Sequence, residues 1–191
     1  RHLQEKDVHR KSRMELYGSP SPVIHDDLVL AGFHDGSVVA LTRDTGERQW
    51  QRRIGEGRYP DLLAAPIMSD TDVIVAGFSK PLVSLNLDTR NVRWRIDTGG
   101  THPPVAHGDW IIHGGTDGKL RSVDRLTGAP RWTWEAPSSG SLTQPVITEA
   151  GVFVGSSTEG LYLIDADTGD ERWVFEPGYK TAGISANLAV D

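Results

Sequence analysis

The feature that most constrains the fold is a block of fixed length that occurs four times. A proline followed by a β-branched residue opens each block, and a tryptophan lies 28 residues after that proline every time. The prolines are Pro22, Pro66, Pro104 and Pro145, and the tryptophans are Trp50, Trp94, Trp132 and Trp173. All length variation lies between a tryptophan and the next proline. Repetition of this kind indicates one supersecondary unit used four times.

Each block has the pattern of four short strands. Apolar runs such as Leu28–Ala31 and Ser37–Leu41 alternate with tips rich in Asp, Gly and Thr. No window has the 3.6-residue period of an amphipathic helix. The 21 glycines and 11 prolines among 191 residues fit a chain with many turns. Short strands that recur about every 40 residues are typical of a β-propeller blade.

We therefore predict an all-β fold, a β-propeller of four-stranded antiparallel blades with about four blades present. The blade units are expected near residues 14–58, 59–98, 99–137 and 138–180. Residues 1–13 and 181–191 are assigned to neighbouring blades, because both ends of the chain fall inside a repeat. We expect this arrangement to be about half of a larger ring.

The repeat tryptophans are predicted to be structural. A blade buries both of its faces against its neighbours, and a flat indole ring can fill the wedge between two blades while its N–H meets a backbone carbonyl. A threonine lies 23 residues after each proline, and a glycine follows it in three of the four blocks. Glycine suits a turn that needs positive φ. Arg90 replaces it in the second block and must accept strain or adopt another turn.

Composition excludes several classes of function. With 20 Lys and Arg against 26 Asp and Glu, the net charge of −6 argues against a protein that tracks nucleic-acid phosphates. The absence of cysteine excludes a disulfide scaffold, a cysteine zinc site and a thiol nucleophile. No apolar run approaches the roughly 18 residues of a membrane-spanning helix.

The sequence shows no convincing metal site. Its seven histidines, among them His34 and His113, have no standard ligand spacing and are predicted to be solvated turn residues. The run Asp165–Asp170 superficially resembles a calcium loop. It lacks the glycine and the final glutamate of such a loop and coincides with the repeat's own turn, so we interpret it as structural.

The segment Ala40–Trp50 resembles the tryptophan-docking motif of pyrroloquinoline-quinone-type propeller repeats. Ser122–Trp132 and Leu163–Trp173 repeat the motif, with Asp124 and Asp165 at its aspartate position. A closer resemblance, to the BamB family of outer-membrane β-barrel assembly lipoproteins, is carried by the stretches Met14–Pro22, Arg58–Pro66, Leu142–Val146 and Glu159–Tyr162.

The BamB resemblance implies an eight-bladed ring that acts as a non-enzymatic scaffold in the assembly and insertion of outer-membrane β-barrel proteins. It implies a periplasmic location at the outer membrane, a lipid anchor upstream, and neither cofactor nor metal. In that family one rim contacts the barrel-assembly subunit BamA, which here implies partner-binding roles for Met14, Leu16, Tyr17, Arg58 and Asp61. Tyr17 stands where the family has arginine, and Leu63 stands where it has a second acid.

The repeat also occurs in two other classes of protein. Quinone dehydrogenases share it, but they hold their cofactor against a vicinal cysteine pair and a bound metal ion, and this chain has no cysteine. The alternative to a BamB-like scaffold is a quinone-type propeller that serves as an extracytoplasmic sensor or ligand-binding domain.

Overall fold

The computed structural model describes residues 20–79, 81–178 and 183–184. In these residues every regular element is a β-strand, and the strands form four separate four-stranded antiparallel sheets. The predicted all-β fold of four-stranded blades is confirmed. Within the same residues there is no helix long and apolar enough to span a membrane.

Every sheet is a meander in which the strands follow their order in the chain. Sheet 1 contains β1 (Val23–His25), β2 (Leu28–Gly32), β3 (Ser37–Thr42) and β4 (Arg48–Arg53). Sheet 2 contains β5 (Ile67–Ser69), β6 (Asp72–Ala76), β7 (Leu82–Asn86) and β8 (Val92–Ile96). Sheet 3 contains β9 (Val105–His107), β10 (Trp110–Gly114), β11 (Lys119–Asp124) and β12 (Pro130–Glu135). Sheet 4 contains β13 (Val146–Thr148), β14 (Gly151–Gly155), β15 (Leu161–Ile164) and β16 (Glu171–Phe175).

The first strands of consecutive sheets contact one another, so β1, β5, β9 and β13 lie side by side. This is the arrangement of propeller blades around an axis. Because the strands alternate in direction, the turns after the first and third strands meet at one end of the molecule, which we call the turn rim. The turns after the second strands and the connectors between sheets meet at the other end, which we call the connector rim.

The hydrophobic core is divided among the three junctions between neighbouring sheets. In sheet 2 the two-residue period of the strands separates the faces. Val73 and Val83 belong to the core of junction 1–2, whereas Ile74 and Leu82 belong to that of junction 2–3. A third cluster fills junction 3–4. The central strands β6 and β7 are therefore buried along their whole length.

Trp94 and Trp132 lie in junctions 2–3 and 3–4 and are 7% and 8% exposed. Their indole N–H groups donate to the carbonyls of Arg125 at 2.8 Å and Ala166 at 3.0 Å, in the sheet that follows. The Thr-Gly turn of that sheet packs on the indole ring. At Gly169, where φ is +77°, an added Cβ would lie 2.7 Å from Trp132. Glycine is needed there for both its conformation and its size.

The other two repeat tryptophans are less enclosed. Trp50 is half-buried beside the core of junction 1–2. Arg90 adopts a φ of +59°, so the turn of the second repeat keeps its left-handed residue without glycine. Trp173 is 42% exposed and makes an edge contact with Phe153, with ring centroids 5.8 Å apart. It is no wedge within the described residues, because these include no sheet that covers that face of sheet 4.

The four sheets lie within the blade units expected near residues 14–58, 59–98, 99–137 and 138–180, whose boundaries stay predictions. Residues 1–13 lie outside the described residues. So does the segment 181–191 apart from residues 183–184. Their assignment to neighbouring blades also stays a prediction.

Candidate functional site

The candidate residues that the structure describes lie in the connector from β4 to β5. The carbonyl of Gly36 accepts hydrogen bonds from the N–H groups of Ile54 at 2.7 Å and Gly55 at 2.8 Å. The loop that follows folds back so closely that a Cβ at position 55 would lie 1.7 Å from the carbonyl oxygen of Pro60. Glycine at position 55 therefore lets residues 55–60 form a closed loop on the connector rim.

Asp61 lies where this connector crosses from sheet 1 to sheet 2. Its carbonyl accepts the N–H of Phe78 at 2.8 Å, and the N–H of Leu62 donates to the carbonyl of Phe33 at 3.3 Å. The Leu62 side chain is fully buried. The backbone at Asp61 is thus held by both sheets, which fixes where its side chain leaves the rim.

The same backbone bridge recurs at the next two junctions. The carbonyl of Gly99 accepts the N–H of Thr116, and that of Ser141 accepts the N–H of Ser157, both at 3.0 Å. Of the three bridges between described sheets, only the one at Asp61 carries a charged side chain. The backbone hydrogen bond between neighbouring sheets is therefore common to the three junctions. Among the described sheets, a carboxylate at this position occurs at junction 1–2 alone.

The Asp61 carboxylate lies 3.3 Å from Nδ1 of His34 on the turn between β2 and β3. The Asp61 side chain is only 15% exposed, and that of His34 is 53% exposed. Because an ionised carboxylate only accepts hydrogen bonds, a hydrogen bond in this contact requires the tautomer of His34 that is protonated on Nδ1. His34 is exposed, as expected from the sequence, but its pairing with Asp61 was missed. The two residues are 27 positions apart and meet only because both loops reach the connector rim.

Arg58 is exposed, and its guanidinium lies 5.5 Å from the ring centroid of Tyr59. Tyr59 in turn contacts Phe78 edge-on, with centroids 6.3 Å apart. An exposed cation over a ring gains about 0.5–1 kcal/mol, and the ring pair limits the movement of Tyr59. The loop therefore presents a cation on an aromatic support next to the half-buried carboxylate of Asp61.

The remaining predicted partner-binding residues, Met14, Leu16 and Tyr17, lie outside the described residues. Their grouping with Arg58 and Asp61 therefore stays a prediction.

An ion pair ties the loop to sheet 2. The Arg95 guanidinium of β8 donates two hydrogen bonds of 2.5 Å to the Glu56 carboxylate. The hydrogen bonds from Arg95 to Glu56 raise the pKa of Arg95, although burial acts in the opposite direction. Because both side chains are substantially exposed, the pair orients the loop more than it stabilises the fold.

Among the described carboxylates outside this loop, that of Asp72 in sheet 2 is the most buried. Burial alone would raise its pKa, but hydrogen bonds from Arg93 at 2.5 Å, Asn86 at 2.9 Å and Ser84 at 2.8 Å outweigh burial and lower it. An acid held ionised by so many partners is suited to a structural role and not to proton transfer.

His113 corrects a prediction. It lies within β10 and is fully buried, so it is no solvated turn residue. An added Cβ at Gly100 would lie 2.4 Å from its Cε1 atom. Neither ring nitrogen has a hydrogen-bond partner within the described residues. Burial, partly offset by the nearby Gly99 backbone, lowers the pKa of His113 to about 4. The sequence misled here because β10 continues to Gly114, beyond its obvious apolar run.

Residues 20–79, 81–178 and 183–184 contain no group of three or more His, Asp or Glu side chains placed to hold a metal ion. The Asp165 carboxylate accepts hydrogen bonds from Arg172 at 2.5 Å and from the backbone N–H groups of Thr168 at 2.9 Å and Asp167 at 2.8 Å. These hydrogen bonds, above all the one from Arg172, lower the pKa of Asp165. The oxygens of Asp165 are thus engaged in closing the repeat's turn.

Comparison with known proteins gives consistent results. The family model described as outer membrane protein assembly factor BamB matches residues 4–133 and 83–189. The BamB of Legionella pneumophila (strain Paris) is 28% identical over 169 residues, which are 85% of this chain and 44% of that protein. The BamB of Escherichia coli (strain K12) is 22% identical over 184 residues, covering 91% of this chain and 47% of that protein. The chain therefore spans about half the length of the curated relatives it matches.

Solved structures show the same fold. The crystal structure of BamB from Moraxella catarrhalis superposes with a TM-score of 0.77 at 23% identity, covering 89% of this chain and 54% of that one. The quinohemoprotein alcohol dehydrogenase of Comamonas testosteroni superposes with a TM-score of 0.64 at 16% identity, covering 83% of this chain and 35% of that one. At these identities the likeness concerns the fold alone.

Proposed function

The chain belongs to the family of the outer membrane protein assembly factor BamB, and we propose that it acts as a protein-binding scaffold that assists assembly and insertion of β-barrel proteins into the outer membrane. The proposal is supported by a family match that extends from residue 4 to residue 189. We further propose that the protein lies in the periplasm at the outer membrane and is held there by a lipid anchor upstream of these residues.

One observation carries the proposal. The connector between sheets 1 and 2 presents exposed Arg58 on the support of Tyr59, beside an Asp61 whose backbone is held by both sheets. Arginine and tyrosine are enriched among residues that dominate binding energy at interfaces. A loop of restricted mobility loses less conformational entropy on binding than a flexible one.

The proposed partner is a BamA-type barrel-assembly subunit. The proposed surface combines Arg58 and Asp61 with Met14, Leu16 and Tyr17. The apolar side chains of this set would form a small centre and the charged ones a polar border, which is the usual anatomy of a modest interface.

The proposal is tested by pull-down with the cognate barrel-assembly subunit. Arg58→Glu and Leu16→Asp should each weaken capture strongly, the first by reversing a charge and the second by placing an unpaired charge in an apolar centre. Asp61→Ala should weaken capture less. The matched control is Asp88→Ala, an exposed acid on the turn rim, which should bind normally.

A thermal melt of each variant accompanies the pull-down. The surface is refuted if Arg58→Glu and Leu16→Asp both bind as well as the unaltered chain. A large fall in melting temperature for Leu16→Asp would instead assign Leu16 to the core.

The proposed role is non-catalytic and needs no cofactor. The chain has no cysteine for the vicinal pair expected of quinone dehydrogenases. Calorimetric titration with pyrroloquinoline quinone and Ca²⁺ should therefore give no saturable heat. A saturable isotherm with either would contradict the proposal.

A further inference from the structure

The side chain of His34 contacts a residue of the proposed partner-binding surface, although the sequence did not assign it to that surface. Its Nδ1 lies 3.3 Å from Oδ1 of Asp61. The second carboxylate oxygen of Asp61, Oδ2, has no hydrogen-bond or ion-pair partner within the described residues. His34 therefore engages one oxygen of the carboxylate, and the other can accept a further hydrogen bond.

The backbone brings these two side chains together. The carbonyl of Phe33 accepts the N–H of Leu62 at 3.3 Å. His34 directly follows the first of these residues, and Asp61 directly precedes the second. The carbonyl of Asp61 also accepts the N–H of Phe78 at 2.8 Å. Both side chains thus leave from backbone that is tied to neighbouring strands, so their contact needs little further ordering.

The turn that carries His34 is closed by its own hydrogen bonds. The N–H of Phe33 donates to the carbonyl of Ser37 at 2.9 Å, and the N–H of Gly36 donates to the carbonyl of Phe33 at 3.0 Å. The neighbouring acid, Asp35, accepts from the backbone N–H of Ser37 at 2.8 Å and from its hydroxyl at 3.0 Å. Both oxygens of Asp35 are thus used within the turn, and Asp61 is the carboxylate that His34 contacts within the described residues.

The pairing is not a requirement of the repeat. His34 follows its proline by 12 residues, and the residues with that spacing in sheets 2, 3 and 4 are Phe78, Thr116 and Ser157. Asp61 bridges junction 1–2, and the residues that make the same backbone bridge at the next two junctions are Gly99 and Ser141. Those junctions close without a histidine or an acid at these positions. The two ionisable side chains therefore meet at junction 1–2 for a reason other than joining neighbouring sheets.

The contact should add little to the stability of the fold. The His34 side chain is 53% exposed, and exposed charge pairs contribute little to the free energy of unfolding. Fixing a carboxylate before a partner arrives nevertheless helps binding, because the partner then does not have to order that side chain. An exposed histidine that holds a half-buried acid is therefore suited to preparing a binding surface.

We propose that His34 is a positioning residue of the partner-binding surface. Its Nδ1–H holds the Asp61 carboxylate in one orientation, and the barrel-assembly subunit donates a hydrogen bond to the remaining oxygen, Oδ2. The group on the partner is therefore an N–H or O–H donor, because an ionised carboxylate only accepts hydrogen bonds. This inference rests on the proposed function, since it concerns the surface proposed to contain Asp61.

Isothermal titration calorimetry with the purified barrel-assembly subunit tests the proposal, with each substitution made in the full chain. His34→Ala should raise the dissociation constant about three- to tenfold, which is the usual effect of one lost hydrogen bond or one side chain left unordered. His34→Asn should bind within about twofold of the unaltered chain, because its amide nitrogen can take the place of Nδ1 as the donor. The matched control is Thr116→Ala, at the same position of the repeat in sheet 3, which should bind normally.

A double substitution separates positioning from direct contact. If His34 acts through Asp61, adding His34→Ala to Asp61→Ala should leave the dissociation constant unchanged within about twofold. A further loss in the double variant would mean that His34 touches the partner itself, which overturns the positioning role. Thermal melts accompany the titrations, and the melting temperature of His34→Ala should fall by less than about 3 °C. A larger fall would make the contact structural and also overturns the proposal.

The titrations also show which of the two proposals fails. If Arg58→Glu weakens binding but His34→Ala binds as the unaltered chain does, the proposed function stands and the role of His34 is refuted. Equal losses in His34→Ala and His34→Asn refute that role as well, since the donor would then have no effect. No binding by the unaltered chain would refute the proposed function, and with it the role of His34.

Discussion

Trp132 and Trp173 occupy the same position in two consecutive repeats, but their surroundings differ. Both belong to the fourth strand of their sheet, and each lies opposite a third-strand residue where the register shifts. Trp132 is 8% exposed under the Gly169 turn, whereas Trp173 is 42% exposed. The local sequence places an indole on the sheet, and the next sheet decides whether it is buried.

The difference shows that the local structure of a repeat and the burial of its side chains depend on different parts of the sequence. The strands and turns of one sheet depend on residues inside one block, so the same pattern yields the same meander each time. The burial of each face depends on the neighbouring block, and a residue with the same local role can contribute very different amounts to stability.

The largest expected effect is that of Trp132→Ala. Removing a buried indole from junction 3–4 also removes its hydrogen bond to the Ala166 carbonyl. We expect the free energy of unfolding to fall by about 3–5 kcal/mol, measured by urea denaturation. A loss below about 1 kcal/mol, the range of surface changes, would contradict the assignment of Trp132 to a covered junction.

Lowering the pH should destabilise junction 2–3, which contains His113, more than junction 3–4. His113 follows its proline by nine residues, and Val154 has that position in sheet 4. The folded-state pKa of His113 is about 4, below the roughly 6.5 of an unfolded chain, so the unfolded chain binds the proton first. The contribution of neutral His113 to the free energy of unfolding is fully present above about pH 6.5. It is lost as the pH falls to about 4, and the total loss is about 3 kcal/mol.

The measurement is urea denaturation at half-unit steps from pH 7 to pH 4. The control is His113→Val, which places there the residue of junction 3–4 and should flatten the profile between pH 6.5 and 4. Carboxylates with lowered pKa values, such as that of Asp72, lose their contribution only below that window. An equally steep profile in His113→Val would assign the acid sensitivity to other groups.

The same glycine substitution can be compared in a covered and an open turn of the repeat. Gly169 and Gly46 have φ values of +77° and +68°, but only Gly169 touches a tryptophan. Gly46→Ala should cost about 1 kcal/mol for the left-handed backbone alone. Gly169→Ala adds a collision with Trp132 and should cost about 2–3 kcal/mol. Equal losses in chemical denaturation would mean that the turn does not press on the indole.

Much of the fold was predictable from the sequence. The fixed spacing from Pro22 to Trp50, repeated three more times, predicts the strand order within each sheet because the hairpins are local. The exposure of the Trp173 side chain was not predictable, since it depends on contacts between blocks. The buried position of His113 was missed because β10 continues to Gly114, beyond its obvious apolar run.

The candidate site was predictable only in part. The resemblance drew attention to Arg58 and Asp61, and both lie on the connector rim. The contact of Asp61 with His34 and the backbone bridge to Phe78 depend on how two loops and two sheets meet. The spacing of residues within the connector therefore does not predict these two contacts.

The smallest expected effect is that of Trp173→Ala. The Trp173 ring is 42% exposed and makes an edge contact with Phe153. We expect the free energy of unfolding of the 191-residue chain to fall by less than about 1 kcal/mol, because little packing is lost. Urea denaturation of Trp173→Ala beside Trp132→Ala measures the contrast between the two positions. A loss as large as that of Trp132→Ala would mean that Trp173 is covered within one chain, and the contrast with Trp132 would disappear.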